Sequence, residues 1–150
     1  MRKITLTVIF VLVAAVGYAQ EAYIELLRSD IRAKKVAIIT EVMQFTDAQA
    51  RAFWPVYREY DLELSKIGDA RVELIKDYAR YYEKMTDEKA KELIQRALKL
   101  DERTTKLQKK YFEKFDKALP SKTVAKFFQL ENQIDLLIDL QIASELPLIK

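Results

Sequence analysis

Between Phe53 and Met85 the large apolar residues recur at alternating steps of four and three: Phe53, Tyr57, Tyr60, Leu64 and Ile67, then Leu74, Tyr78, Tyr81 and Met85. Arg71 stands where the series calls for one more apolar side chain. A second run repeats the spacing through Leu93, Ala97, Leu100, Thr104, Leu107, Tyr111 and Phe115. Such heptads are the seam of long helices packed side by side. On the outer face of the second run, Glu92 with Arg96, Glu102 with Lys106 and Glu113 with Lys117 stand four residues apart in the favourable order, each pair adding roughly a few tenths of a kcal/mol. Glycine and proline, which would break helices, are scarce: past the first twenty residues only Gly68, Pro55, Pro120 and Pro147 occur. The pattern predicts an all-α fold of four helices, about Tyr23 to Gln44, Asp47 to Tyr82, Asp87 to Ala118 and Ser121 to Ser144. At about 1.5 Å per residue the second and third would each be about 50 Å long, and the short "EKM" link makes them a central antiparallel hairpin.

The second helix begins at "FTDAQARAFWPVY". Thr46 followed three residues later by Gln49 is an N-cap with its reciprocal partner. Pro55 then falls two turns into the helix, where it removes the donor for the Arg51 carbonyl and crowds that group, at a cost of about 3 kcal/mol. A bend at Pro55 is expected. Phe53, Trp54 and Tyr57 around it have two readings: rigid aromatic area for binding beside the bend, or core at the heptad seam. In the first helix Ile24, Leu27, Ile31, Ile38 and Val42 share a face interrupted by Lys34 and Lys35, and this face is expected to pack on the hairpin.

The fourth helix has a different pattern. Its apolar residues, from Phe127, Phe128, Leu130 and Ile134 to Leu136, Leu137, Ile138, Leu140 and Ile142, pass nearly all round the cylinder. A helix apolar on every side is buried on every side or meets a partner. Both readings stay open: a central core helix closed by a returning "LPLI" tail, or a dimer interface or groove for apolar segments. Gln129, Glu131, Asn132 and Gln133 interrupt the apolar surface, where amides could set the register of a dimer or bond a peptide backbone. The candidate client or dimer surface is Phe127, Phe128, Gln129, Glu131, Asn132, Ile134, Leu137 and Ile138.

The amino terminus changes the compartment. Arg2 and Lys3 precede an uncharged apolar run from Ile4 to Val16, and small Gly17 and Ala19 flank Tyr18. This is the pattern of a secretory signal peptide, expected to be cleaved after Ala19 to leave one domain, residues 20–150, in the periplasm. Loss of Arg2 and Lys3 lowers the net charge from +3 to +1, which argues against nucleic acid as a partner. The chain has no cysteine and no histidine. That excludes disulfides, histidine-ligated metals and haem, and Ser-His or Cys-His catalytic pairs. Acidic residues alternate with Lys and Arg and form no calcium loop, so no cofactor and no enzymatic activity are expected.

With four helices, a leader, and Phe45, Thr46 and Gln49 before the second helix, the chain resembles the periplasmic Spy/CpxP-like proteins named for an LTXXQ motif, with Phe in place of Leu. The second copy of that motif would fall at "LPSKT", where Pro120 replaces Thr and Thr123 replaces Gln. A likeness over nearly the whole mature chain is to a set of uncharacterised exported helical proteins of bacteria. It rests on "FWPVY" (Phe53 to Tyr57), "DYA" (Asp77 to Ala79), "TDEKA" (Thr86 to Ala90), Leu119 with Pro120, "FFQLEN" (Phe127 to Asn132) and the end from Ile142 to Ile149. That set implies no activity. The Spy/CpxP-like resemblance implies an ATP-independent, chaperone-like cradle that holds unfolded or apolar segments under envelope stress. Alternatively it implies a soluble partner or regulator of an envelope-stress sensor that ignores generic clients. A homodimer is expected under the first reading, and the zinc sites of some such relatives have no ligands here.

Overall fold

The computed structural model describes residues 34–149. The expected signal peptide, and the part of the first helix from Tyr23 to residue 33, lie outside the described residues. The chain divides into two units, Met1–Gln44 and Phe45–Lys150.

In the first unit residues 34–43 form α1. Its buried positions are Lys35, Ile39 and Met43, whereas Ile38 and Val42, the expected inward face, are exposed. The buried arc follows a four-residue step that starts from the aliphatic stem of Lys35, so counting that residue only as a charged interruption turned the face by one position. The helix ends at Gln44, whose φ of 48° is left-handed.

The second unit contains α2 (Asp47–Tyr81), a single 3-10 turn at Tyr82–Lys84, α3 (Asp87–Ala118) and α4 (Ser121–Glu145). The expected capping box forms: Gln49 N donates to Thr46 Oγ1 at 3.3 Å and Thr46 N to Gln49 Oε1 at 3.1 Å. Thr86 caps α3 by accepting from Lys89 N. α2 stays α-helical through Pro55. Pro55 and Arg51 are both exposed, so the carbonyl left without its donor is on the wet side of the helix.

Three ion pairs set the helix directions. Glu59 meets Lys114, Glu63 meets Lys110 and Asp77 meets Arg96, so positions rise along α2 as they fall along α3, and the hairpin is antiparallel. α4 runs the same way as α2: Phe127 packs on Phe53, Asp139 meets Arg71, and the Tyr78 hydroxyl donates to the Pro147 carbonyl. Of the expected pairs on α3, Glu92–Arg96 and Glu102–Lys106 form, whereas Glu113 and Lys117 do not pair.

The aromatic part of the core lies at the end where α2 begins, and Leu107, Ile67, Leu100 and Leu93 carry the buried seam on along the hairpin. Phe53 sits 5.2 Å from Phe115 and 4.9 Å from Phe127, Phe115 and Phe127 are 5.0 Å apart, and Tyr60 is 5.3 Å from Tyr111, all between ring centroids. Each such contact adds about 0.5–1.5 kcal/mol beyond the area it buries. Among the described residues no helix is long and apolar enough to cross a membrane.

Candidate functional site: the outer half of α4 and the cleft beneath it

α4 changes character along its length. Val124, Phe127, Leu130 and Ile134 are buried in its first half. In its second half Leu136, Leu137 and Leu140 are 59%, 68% and 68% exposed. The buried stripe of Val124, Phe127, Glu131 and Ile134 continues through half-buried Ile138 and Ile142, and Leu136, Leu137 and Leu140 stand off it, exposed by their place on the helix; beneath the stripe α2 offers Phe53, Tyr57 and Tyr60 to the first half, then Leu64, Ile67 and Gly68 farther on. Smaller side chains leave the space between the helices unfilled, and a Cβ added at Gly68 would meet nothing within 4 Å.

The unfilled space is a cleft of about 350 Å³, with Leu64, Ile67 and Gly68 from α2, Thr104 and Gln108 from α3, and Ile138 from α4 on its walls. A second hollow of about 290 Å³ continues toward the hairpin link, under Ile142 and over Leu74 and Leu100. Arg71 stands between the two and lines both. Its Nη1 reaches Asp139 Oδ1 at 2.8 Å and its Nη2 reaches Asp101 Oδ1 at 3.0 Å. The residue that broke the heptad stripe therefore ties the outer half of α4 to both helices of the hairpin. The Thr104 and Thr105 hydroxyls donate to their own helix, to the Leu100 and Asp101 carbonyls at 3.0 Å, which satisfies them locally.

At the core end of the cleft the Tyr60 phenol is buried beside Glu131 and Gln108. Burial raises its pKa far above the ordinary value, and the nearby Glu131 and Asp135 carboxylates push it the same way. Where α3 packs on α2, burial and then the hydrogen bond to Glu63 raise Tyr111 to about 12. Hydrogen bonds from Lys110 and Tyr111 hold Glu63 below its usual range. These shifts all carry the groups away from neutral pH, so they poise none of these side chains for proton transfer there. Among the described residues no group of three or more His, Cys, Asp or Glu stands where it could hold a metal ion.

The residues expected from sequence are divided by the fold. Phe45, Thr46 and Gln49 form the cap, with the Phe45 ring 4.5 Å from Phe53, and Gln49 Nε2 donates to Thr123 Oγ1 at 3.5 Å, joining the cap to the start of α4. Phe53 and Tyr57 are interior, a correction to their reading as binding surface, because their heptad positions face Phe115 and Phe127. Trp54 is half-buried against both, and Pro55 is exposed. On α4, Phe127, Glu131 and Ile134 are also core rather than surface, because their arc lies against the hairpin. Phe128 is half-buried beside Phe112; Gln129, Asn132 and Leu137 are exposed; Ile138 lines the cleft.

Sequence reasoning missed Gly68, Asp135 and Asp139 as lining of the cleft, and Leu136 and Leu140 as exposed leucines that line neither hollow. A signal was present in the charge order. Residues 103–126 carry eight basic and two acidic side chains, whereas residues 127–149 carry four acidic and none that is basic. The balanced total conceals this segregation. Comparison with protein-family models, with curated proteins and with solved structures finds no match.

Proposed function

We propose that the protein is a non-enzymatic holding protein of the cell envelope, which binds unfolded or apolar segments on the outer half of α4 without ATP. The observation that carries this reading is the exposure of Leu136, Leu137 and Leu140 at 59%, 68% and 68% on a helix whose first half is core. Contiguous exposed apolar side chains of this kind mark interaction surfaces. Covering the exposed part of each leucine contributes about 1–2 kcal/mol, and ordering an extended segment offsets much of that sum. Binding would be weak and reversible, which suits capture and release without a fuel. The leader pattern and the Spy/CpxP-like resemblance support the envelope setting.

The test is light scattering of a reduced, aggregating model protein with the purified protein added at equal concentration and no nucleotide present. Suppression that weakens in Leu137→Asp, with circular dichroism unchanged, supports holding. No suppression at several-fold excess sinks generic client binding and leaves a dedicated partner of an envelope-stress sensor, which crosslinking in intact envelopes would capture. Chain mass in solution, taken beside it, separates leucines covered by a second copy from leucines open to clients.

A further inference from the structure

We infer that the cleft between α2, α3 and α4 selects apolar segments that carry lysine or arginine. The inference rests on the holding reading and adds a second contact beneath α4, which Leu136, Leu137 and Leu140 do not line, and with it the class of segment held. The first observation is room: the half-open cleft offers about 350 Å³, and at Gly68 the open space reaches the backbone of α2. An apolar cavity of about 150 Å³ is enough for benzene, so a leucine or phenylalanine side chain fits with its neighbours. Leu64, Ile67 and Ile138 supply apolar walls.

The second observation is charge. Asp101, Asp135 and Asp139 line the cleft together with one cation, Arg71, which already bonds Asp101 and Asp139. No lysine or arginine occurs from Phe127 to Ile149, so the lining of the cleft counts three carboxylates against one guanidinium. A cationic side chain flanking the buried apolar one gains from this field, and an acidic one is repelled. Asn132, exposed on the α4 wall, presents an amide able to pair with the main chain of an extended segment. The basic stretch at residues 103–126 makes the contrary prediction for acidic segments, and its Lys110 and Lys114 are already paired with Glu63 and Glu59.

The test is fluorescence anisotropy with two labelled peptides that share one apolar core, one flanked by lysines and the other by glutamates. At low salt the lysine peptide should bind at least tenfold tighter, and the ratio should shrink toward one at high salt. Gly68→Leu, which fills the floor of the cleft without disturbing the helix, should weaken lysine-peptide binding at least fivefold while α-helical circular dichroism is unchanged. Equal affinities, preference for the glutamate peptide, or indifference to Gly68→Leu overturns the cleft assignment even where aggregation is suppressed. Failure of both peptides to bind, with no suppression of aggregation, overturns the holding reading and this inference together.

Discussion

Arg71 Nη1 lies 2.8 Å from Asp139 Oδ1, and through this pair the outer half of α4 is held to α2 where Ile138 and Ile142 are half-buried rather than buried. The partners are partly exposed, Arg71 at 34% and Asp139 at 54% of the side chain, so the pair contributes about 1 kcal/mol or less to global stability. Its effect is local. Arg71→Leu should leave the denaturation midpoint nearly unchanged but raise amide exchange from residue 135 to the end of α4, with residues 121–131 as protected as before. Equal acceleration of both halves would show that α4 opens as one piece.

Phe127 and Leu137 stand on the same helix, one fully buried among Phe53, Phe115 and Tyr60, the other two-thirds exposed. Truncating the first leaves a cavity in the aromatic core and should cost about 3–5 kcal/mol. Leu137→Ala should change stability by about 0.5 kcal/mol or less. Urea denaturation of the two variants measures the division of α4 directly, and similar losses would place Leu137 in the core.

That division could not be read from periodicity. Helix ends were legible because Thr46, Thr86 and Pro120 mark starts and few glycines or prolines interrupt, and the three long helices end within a residue of expectation. The capping box of Thr46 and Gln49 was legible for the same local reason. The side chains of α4 surround its whole circumference, so no moment points to the covered arc. The covered arc is the stripe Val124, Phe127, Glu131, Ile134, Ile138 and Ile142, and what selects it among the apolar residues is the hairpin it lies against, which is remote in sequence. Arg71 was visible as an exception in the stripe, but its partners Asp101 and Asp139 come from two other helices and follow only from their packing.

Acid should weaken the hairpin through its cross-helix carboxylates. The hydrogen bond from Arg96 holds Asp77 below its ordinary 3.8, and those from Lys110 and Tyr111 hold Glu63 below 4.5. A carboxylate with a depressed folded pKa adds stability above its unfolded value and loses that stability as pH falls through the folded one. Stability should therefore be flat from neutral pH to about 5 and decline below about 4.5. Asp77→Asn with Glu63→Gln should start less stable at pH 7 and show a shallower decline. Parallel acid limbs in the parent and the double variant would contradict the assignment.

Gly68 provides the last contrast, between stability and binding. It lies in the interior of α2 at an exposed position, where a Cβ would meet nothing within 4 Å. Helical glycine is disfavoured against alanine by about 0.8–1 kcal/mol, so Gly68→Ala should raise stability by about that amount in urea. A methyl there begins to fill the floor of the cleft. If the cleft takes client side chains, the same variant that stabilises the fold should reduce affinity for the lysine-flanked peptide, with Gly68→Leu reducing it further. Higher stability with affinity unchanged in both variants would mean that glycine at this position keeps no space open for a ligand.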